Sequence, residues 1–159
     1  MRSGFWLGCV GDWSATRGHG HRAGGRRRRI EYFRADYFKE INDRHGHALG
    51  DQVLKQVAAL ISATIRSYDV AARWGGDEFL VLVYPTDQQH LDSLGERLRA
   101  AIASSRAVLD AKGQPLAMSV SIGGYVATPG EELDHVLQAG DEALYAAKGA
   151  GRNAYRAAG

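Results

Sequence analysis

Residues 72–83 read ARWGGDEFLVLV, a strand-like lead into two glycines, Gly75 and Gly76, then two acids, Asp77 and Glu78, then the apolar run Phe79–Val83. VAARW (70–74) and EFLVLVY (78–84) are apolar enough to be strands, and the Gly-Gly-Asp between them is turn chemistry, so the stretch predicts a β-hairpin. Acids are common in turns, where a carboxylate satisfies backbone donors. Two adjacent carboxylates at the lip of a buried strand nevertheless repel by up to ~4 kcal/mol at close range and moderate dielectric. Bound Mg²⁺ relieves such repulsion through hard oxygen ligands, and paired glycines admit a ligand close to the backbone. A plain turn and a metal–phosphate site are both open from these residues alone.

Working outward, IEYFRA (30–35) predicts a first strand, YFKEIND (37–43) a short helix, and RHGHALGD (44–51) a glycine-punctuated loop. Val53, Val57, Leu60, Ile61 and Ile65 recur at helical spacing and predict an amphipathic helix over roughly 51–66, with Asp51 as its N-cap or first-turn acid. Leu91, Leu94, Leu98 and Ile102 mark a third helix. PLAMSVSIGGYVA (115–127) reads as a strand. Leu133, Val136, Leu137, Leu144 and Tyr145 mark a last helix ending near Lys148–Gly151, and NAYRA (153–157) an edge strand. The order βααββαβαβ predicts an α+β fold in which helices flank a mostly antiparallel central sheet.

The 159 residues suit one domain with its own core. The formal charge of +2 hides an asymmetry: residues 1–30 hold seven Arg and one acid, the remainder thirteen basic residues and seventeen acids. Residues 1–29 therefore read as an irregular Gly/Arg-rich lead-in, and 30–159 as the domain proper. The body is acidic and the arginine run lacks interleaved aromatics, which argues against a nucleic-acid partner. A lone Cys9 makes a reducing cytoplasm the default. No run approaches the ~18 apolar residues of a membrane span, and no regulatory domain is expected in the short lead-in.

Gly75-Gly76-Asp77-Glu78-Phe79 resembles the motif of GGDEF domains, the diguanylate cyclase family, and the flanks resemble it too. DYFKEINDRHGHALGDQVL (36–54) is similar to the family's first helix and guanine-binding loop, SVSIGG (119–124) to a core strand, and DEALYAAKGAGRN (141–153) to its last helix and phosphate-contacting end. The resemblance implies a fold like the palm of nucleotidyl cyclases and polymerases. It implies condensation of two GTP into cyclic di-GMP between domains meeting head to head, with Mg²⁺ (or Mn²⁺) as cofactor. On it, Asp77 and Glu78 would hold metal, with Glu78 also helping to deprotonate the attacking hydroxyl. Asn42 and Asp51 would read guanine, while Phe38 and Lys39 would offer amides and charge to phosphate. Lys39, Lys148 and Arg152 would neutralise the triphosphate. Arg66-Ser67-Tyr68-Asp69 is similar to the family's RxxD inhibitory site, where Arg66 and Asp69, supported by Arg97, would grip product cyclic di-GMP.

One position departs from the pattern. The family's first strand ordinarily ends Asp-x-Asp before Phe-Lys, and here the stretch is Arg34-Ala35-Asp36-Tyr37-Phe38-Lys39. Asp36 matches the second acid, but Arg34 stands where the first, metal-binding acid belongs. A guanidinium has no lone pair for a cation, so Arg34 is expected to pair with Asp77 or Glu78. The family's usual segment upstream of the first strand also has no counterpart in residues 1–30. Two readings follow: an active cyclase, or a catalytically weak domain that captures cyclic di-GMP through Arg66 and Asp69.

Overall fold

The computed structural model describes residues 29–83 and 87–158, with side chains from Arg34 onward. Apart from Arg29, the predicted lead-in lies outside the described residues. The order is β1 (Arg29–Ala35), α1 (Phe38–His45), α2 (His47–Thr64), β2 (Val70–Arg73), β3 (Glu78–Val83), α3 (Gln88–Ser104), β4 (Val120–Val126), α4 (Leu133–Gly149) and β5 (Tyr155–Ala157). This is the βααββαβαβ order expected from the residue pattern. The five strands form one sheet in the order β2-β3-β1-β4-β5, antiparallel throughout except for the parallel β4–β5 pair at the edge.

Period-2 alternation explains how the strands serve two cores. Phe79, Val81 and Val83 of β3 point to one face, joined by Val120 and Ile122 of β4. There they meet Val53, Leu54, Val57 and Ile61 of α2 and Leu91, Leu94, Leu98 and Ile102 of α3. Leu80 turns to the other face and packs with Val136 and Leu144 of α4. Each fully buried leucine or isoleucine stabilises the fold by about 1.5–3 kcal/mol. The approach of α4 to β4 needs Gly123, because a Cβ there would come 2.3 Å from both the Gly140 carbonyl oxygen and the Leu144 amide nitrogen.

The boundaries differ from expectation in three places. The predicted loop 44–51 is almost wholly helical: only Gly46, with φ of 86°, separates α1 from α2. Asp51 is consequently neither cap nor first-turn acid, since the helix starts at His47 with Gly46 in the cap position and has no acid in its first turn. The apolar spacing showed where α2 packs and gave no signal of its start. The helix also ends at Thr64, before the expected limit. The predicted strand 115–127 contracts to Val120–Val126, and Pro115 makes only an isolated bridge with Leu109, as suits a residue with no N–H to donate.

Candidate functional site

The strand register brings the hairpin acids to Arg34. In the β1–β3 ladder Arg34 lies directly across from Glu78, and directly opposed residues share a face of the sheet. Arg34 Nε donates to Asp77 Oδ2 at 3.0 Å, and its Nη1 lies 3.8 Å from Glu78 Oε1. The Arg34 and Asp77 side chains are 42% and 18% exposed, so solvent screens the pair and its net worth is about 1 kcal/mol. The pairing expected from the sequence is therefore present.

The hairpin tip is braced from below. Arg73 Nε donates to the carbonyls of Gly75 and Gly76 at 3.2 and 3.0 Å, and its Nη2 donates to Gly76 at 2.6 Å. Neither glycine has a left-handed backbone. A Cβ at Gly75 would stand 2.9 Å from Glu78 Oε2, while one at Gly76 would meet nothing within 4 Å. Gly75 therefore makes room for the Glu78 carboxylate. Arg73 escaped the sequence reading, because only the geometry of the turn brings its guanidinium to the two glycine carbonyls.

Lys148, in the last turn of α4, completes this cluster. Burial lowers its ammonium from the usual lysine value and the Arg34 charge adds to the effect, while Asp77, Glu78 and Asp141 oppose it. The Lys148 ammonium therefore feels the charges of Arg34, of both hairpin acids and of Asp141.

Asp36 has a different task. Buried at the end of β1, its Oδ1 accepts from Ser121 Oγ at 2.6 Å, and its Oδ2 accepts from Ser119 Oγ at 2.8 Å and the Asn153 amide at 2.9 Å. The carboxylate thus ties β1 to β4 and to the segment entering β5. Around it lie the only three non-glycine residues with left-handed φ among those described: Tyr37 at 57°, Arg152 at 62° and Asn153 at 42°. Arg152 places its guanidinium 4.9 Å from the Tyr37 ring centroid, a cation–π contact. Strained backbone gathers at sites where the surrounding structure holds it. The strain here surrounds the start of α1, where Phe38 and Lys39 occupy the first turn and no side chain caps the helix.

Asn42 packs against Gly50, the residue before Asp51. The buried Asn42 Oδ1 has no hydrogen-bond partner, and a Cβ at Gly50 would sit 1.8 Å from it and 3.3 Å from Phe38 Cε2. Asn42 Oδ1 thus fills the space a side chain at Gly50 would take, and a buried acceptor left unpaired calls for a donor. Asp51, on the exposed side of α2, lines an open groove of about 390 Å³ with Leu54, Lys55, Arg73 and Phe79.

Arg66 and Asp69 form a separate cluster after α2. Asp69 is buried and its Oδ2 accepts from the Arg66 amide at 2.9 Å. The Arg66 guanidinium is exposed, donates to the Tyr68 hydroxyl at 2.9 Å, and approaches His90 Nδ1 at 3.4 Å. Arg97 lies two turns along α3 from His90 and donates to the Thr64 carbonyl at 3.1 Å. Tyr68 and His90 carried no sign in the sequence, because His90 reaches Arg66 only through the packing of α3 against α2.

A divalent metal held in the family's manner does not fit this set. Among the described residues no group of three or more His, Cys, Asp or Glu is placed to hold a metal, and the two hairpin acids already face Arg34.

The family model "Diguanylate cyclase, GGDEF domain" matches residues 22–154. Diguanylate cyclase DosC of Escherichia coli (strain K12) is 36% identical over 118 residues, covering 74% of this chain and 25% of that protein. Diguanylate cyclase DgcP of Pseudomonas aeruginosa is 43% identical over 118 residues, covering 74% and 17%. The chain thus spans a quarter or less of the length of these two relatives. The GGDEF domain of DgcB from Caulobacter crescentus, solved in complex with c-di-GMP, superposes with a TM-score of 0.78 at 32% identity, covering 83% of this chain and 78% of that one. The active GGEEF domain of a diguanylate cyclase from Vibrio cholerae gives 0.76 at 27% identity, covering 84% of each. Motif, five-stranded sheet and family match agree, and the chain belongs to the GGDEF, diguanylate cyclase family.

Proposed function

We propose that this chain is a GGDEF domain that binds guanine nucleotides, converts GTP to cyclic di-GMP slowly or not at all, and acts chiefly by capturing cyclic di-GMP. The carrying observation is the Arg34 guanidinium 3.0 Å from Asp77 and 3.8 Å from Glu78. It occupies the carboxylates that in-line transfer would direct at a metal, and a guanidinium offers no ligand in exchange. Cyclic di-GMP capture is supported by the exposed Arg66 guanidinium, the Asp69 carboxylate anchored beside it, and Arg97 on the adjoining helix. Asn42 and Asp51 support guanine recognition, and Lys39, Lys148 and Arg152 the phosphates. The reading implies a cytoplasmic location, and any turnover would need two copies meeting head to head.

Incubation with GTP and Mg²⁺, with nucleotides separated by chromatography, is expected to yield little cyclic di-GMP, and fast product formation refutes that half of the proposal. Calorimetric titration with cyclic di-GMP is expected to show binding that Arg66→Ala removes. No binding, or binding indifferent to Arg66→Ala, refutes the other half.

A further inference from the structure

We propose that Arg34 takes, within the chain, the charge-neutralising place of a divalent metal at Asp77 and Glu78, so that this site accepts a nucleoside triphosphate as its metal-free anion. The inference rests on the guanine-nucleotide reading above and adds the ionic form of the ligand.

The register carries the first part. Arg34 is the direct cross-strand neighbour of Glu78 and bonds the adjacent Asp77, so its guanidinium is built into the sheet and not borrowed from a mobile loop. Asp36, the remaining acid at this end of β1, has both oxygens engaged by Ser119, Ser121 and Asn153. That carboxylate is thus committed within the fold, and the further acid acting on Lys148 is Asp141 of α4. The surroundings carry the second part. Lys148 feels the charges of Arg34, Asp77 and Glu78, and Arg152 is fixed over Tyr37, three residues beyond Arg34. Lys39 follows in the first turn of α1, whose amides have no side-chain cap. A dication entering this cluster must displace Arg34 or stand against like charge, whereas a triphosphate meets the same groups as donors.

Calorimetric titration of the full chain with GTP, once in excess EDTA and once in excess MgCl₂, tests the proposal. The two affinities are expected to agree within about threefold. Arg34→Asp is expected to lose about tenfold or more of the affinity measured in EDTA and to regain it with Mg²⁺. Arg34→Ala is expected to lose the affinity in EDTA and to regain part of it with Mg²⁺ at the freed Asp77 and Glu78, which keeps the test decisive if the aspartate variant folds poorly. Wild-type GTP binding about tenfold tighter with Mg²⁺ than with EDTA overturns the proposal, as does an absence of GTP binding in EDTA. The cyclic di-GMP titration is separate: its failure removes the receptor reading and leaves these outcomes intact.

Discussion

Asp36→Asn exchanges one carboxylate oxygen for an amide nitrogen at a position where both oxygens are in use. In its better orientation the amide oxygen keeps Ser119 Oγ and the Asn153 N–H, and the new NH₂ faces Ser121 Oγ, which in the wild type donates at 2.6 Å. The two retained bonds lose their charge assistance, about 1 kcal/mol together, and the Ser121 contact must reverse, leaving the hydroxyl proton without its carboxylate acceptor in a fully buried setting, about 1–3 kcal/mol more. The expected loss of stability is about 3 kcal/mol, which for a chain of this size lowers Tm by about 6–12 °C. Urea unfolding followed by circular dichroism, with equal slopes for the two proteins, measures it directly. Ser121→Ala should overlap with Asp36→Asn, so that the double variant loses less than the two single losses combined. A loss below about 1 kcal/mol, or strict additivity with Ser121→Ala, would refute the linking role of Asp36.

Three further expectations are open to measurement. Gly50→Ala drives a methyl into the Asn42 amide, which must swing aside; helix propensity offsets part of the strain, so stability should change by about 1 kcal/mol or less, while calorimetric affinity for GTP falls about tenfold, and unchanged affinity would refute the Asn42 role. Gly123→Ala sets a Cβ against the backbone of α4 and should cost about 3 kcal/mol or more, read as a fall in Tm. Glu131 gives a pH test. Burial raises its carboxyl, but the Thr128 amide, the Tyr125 and Thr128 hydroxyls and the His135 charge together hold it below the usual carboxylate range. A carboxyl lowered by folding stabilises above its unfolded pKa, and that share is lost as pH falls through the lowered value. Urea midpoints between neutrality and about pH 3 should therefore fall less steeply in Glu131→Gln than in wild type.

The predicted elements survive best where a long apolar repeat speaks for itself. Leu91, Leu94, Leu98 and Ile102 place α3 without ambiguity, and all four are fully or almost fully buried. The start of α2 was hidden because RHGHALGD has the glycines of a loop, and only Gly46 behaves as one. Gly50 is instead a helix residue kept small by Asn42, which no local pattern can express. The roles of Arg73, Tyr68 and His90 were likewise illegible, since each depends on a partner set by turn or helix packing.

The sequence alone determined the hairpin, the order of elements, the family, and the presence of an arginine where an acid is expected, because local periodicity and short motifs are properties of neighbouring residues. Only the tertiary structure decided what those residues touch. The antiparallel register sets Arg34 opposite Glu78 and against Asp77, and it carries Asp36 to Ser119, Ser121 and Asn153. A single-residue shift in pairing would turn Arg34 to the other face of the sheet. Register is a long-range choice made by two packed cores, and the charge balance at the hairpin acids follows from it.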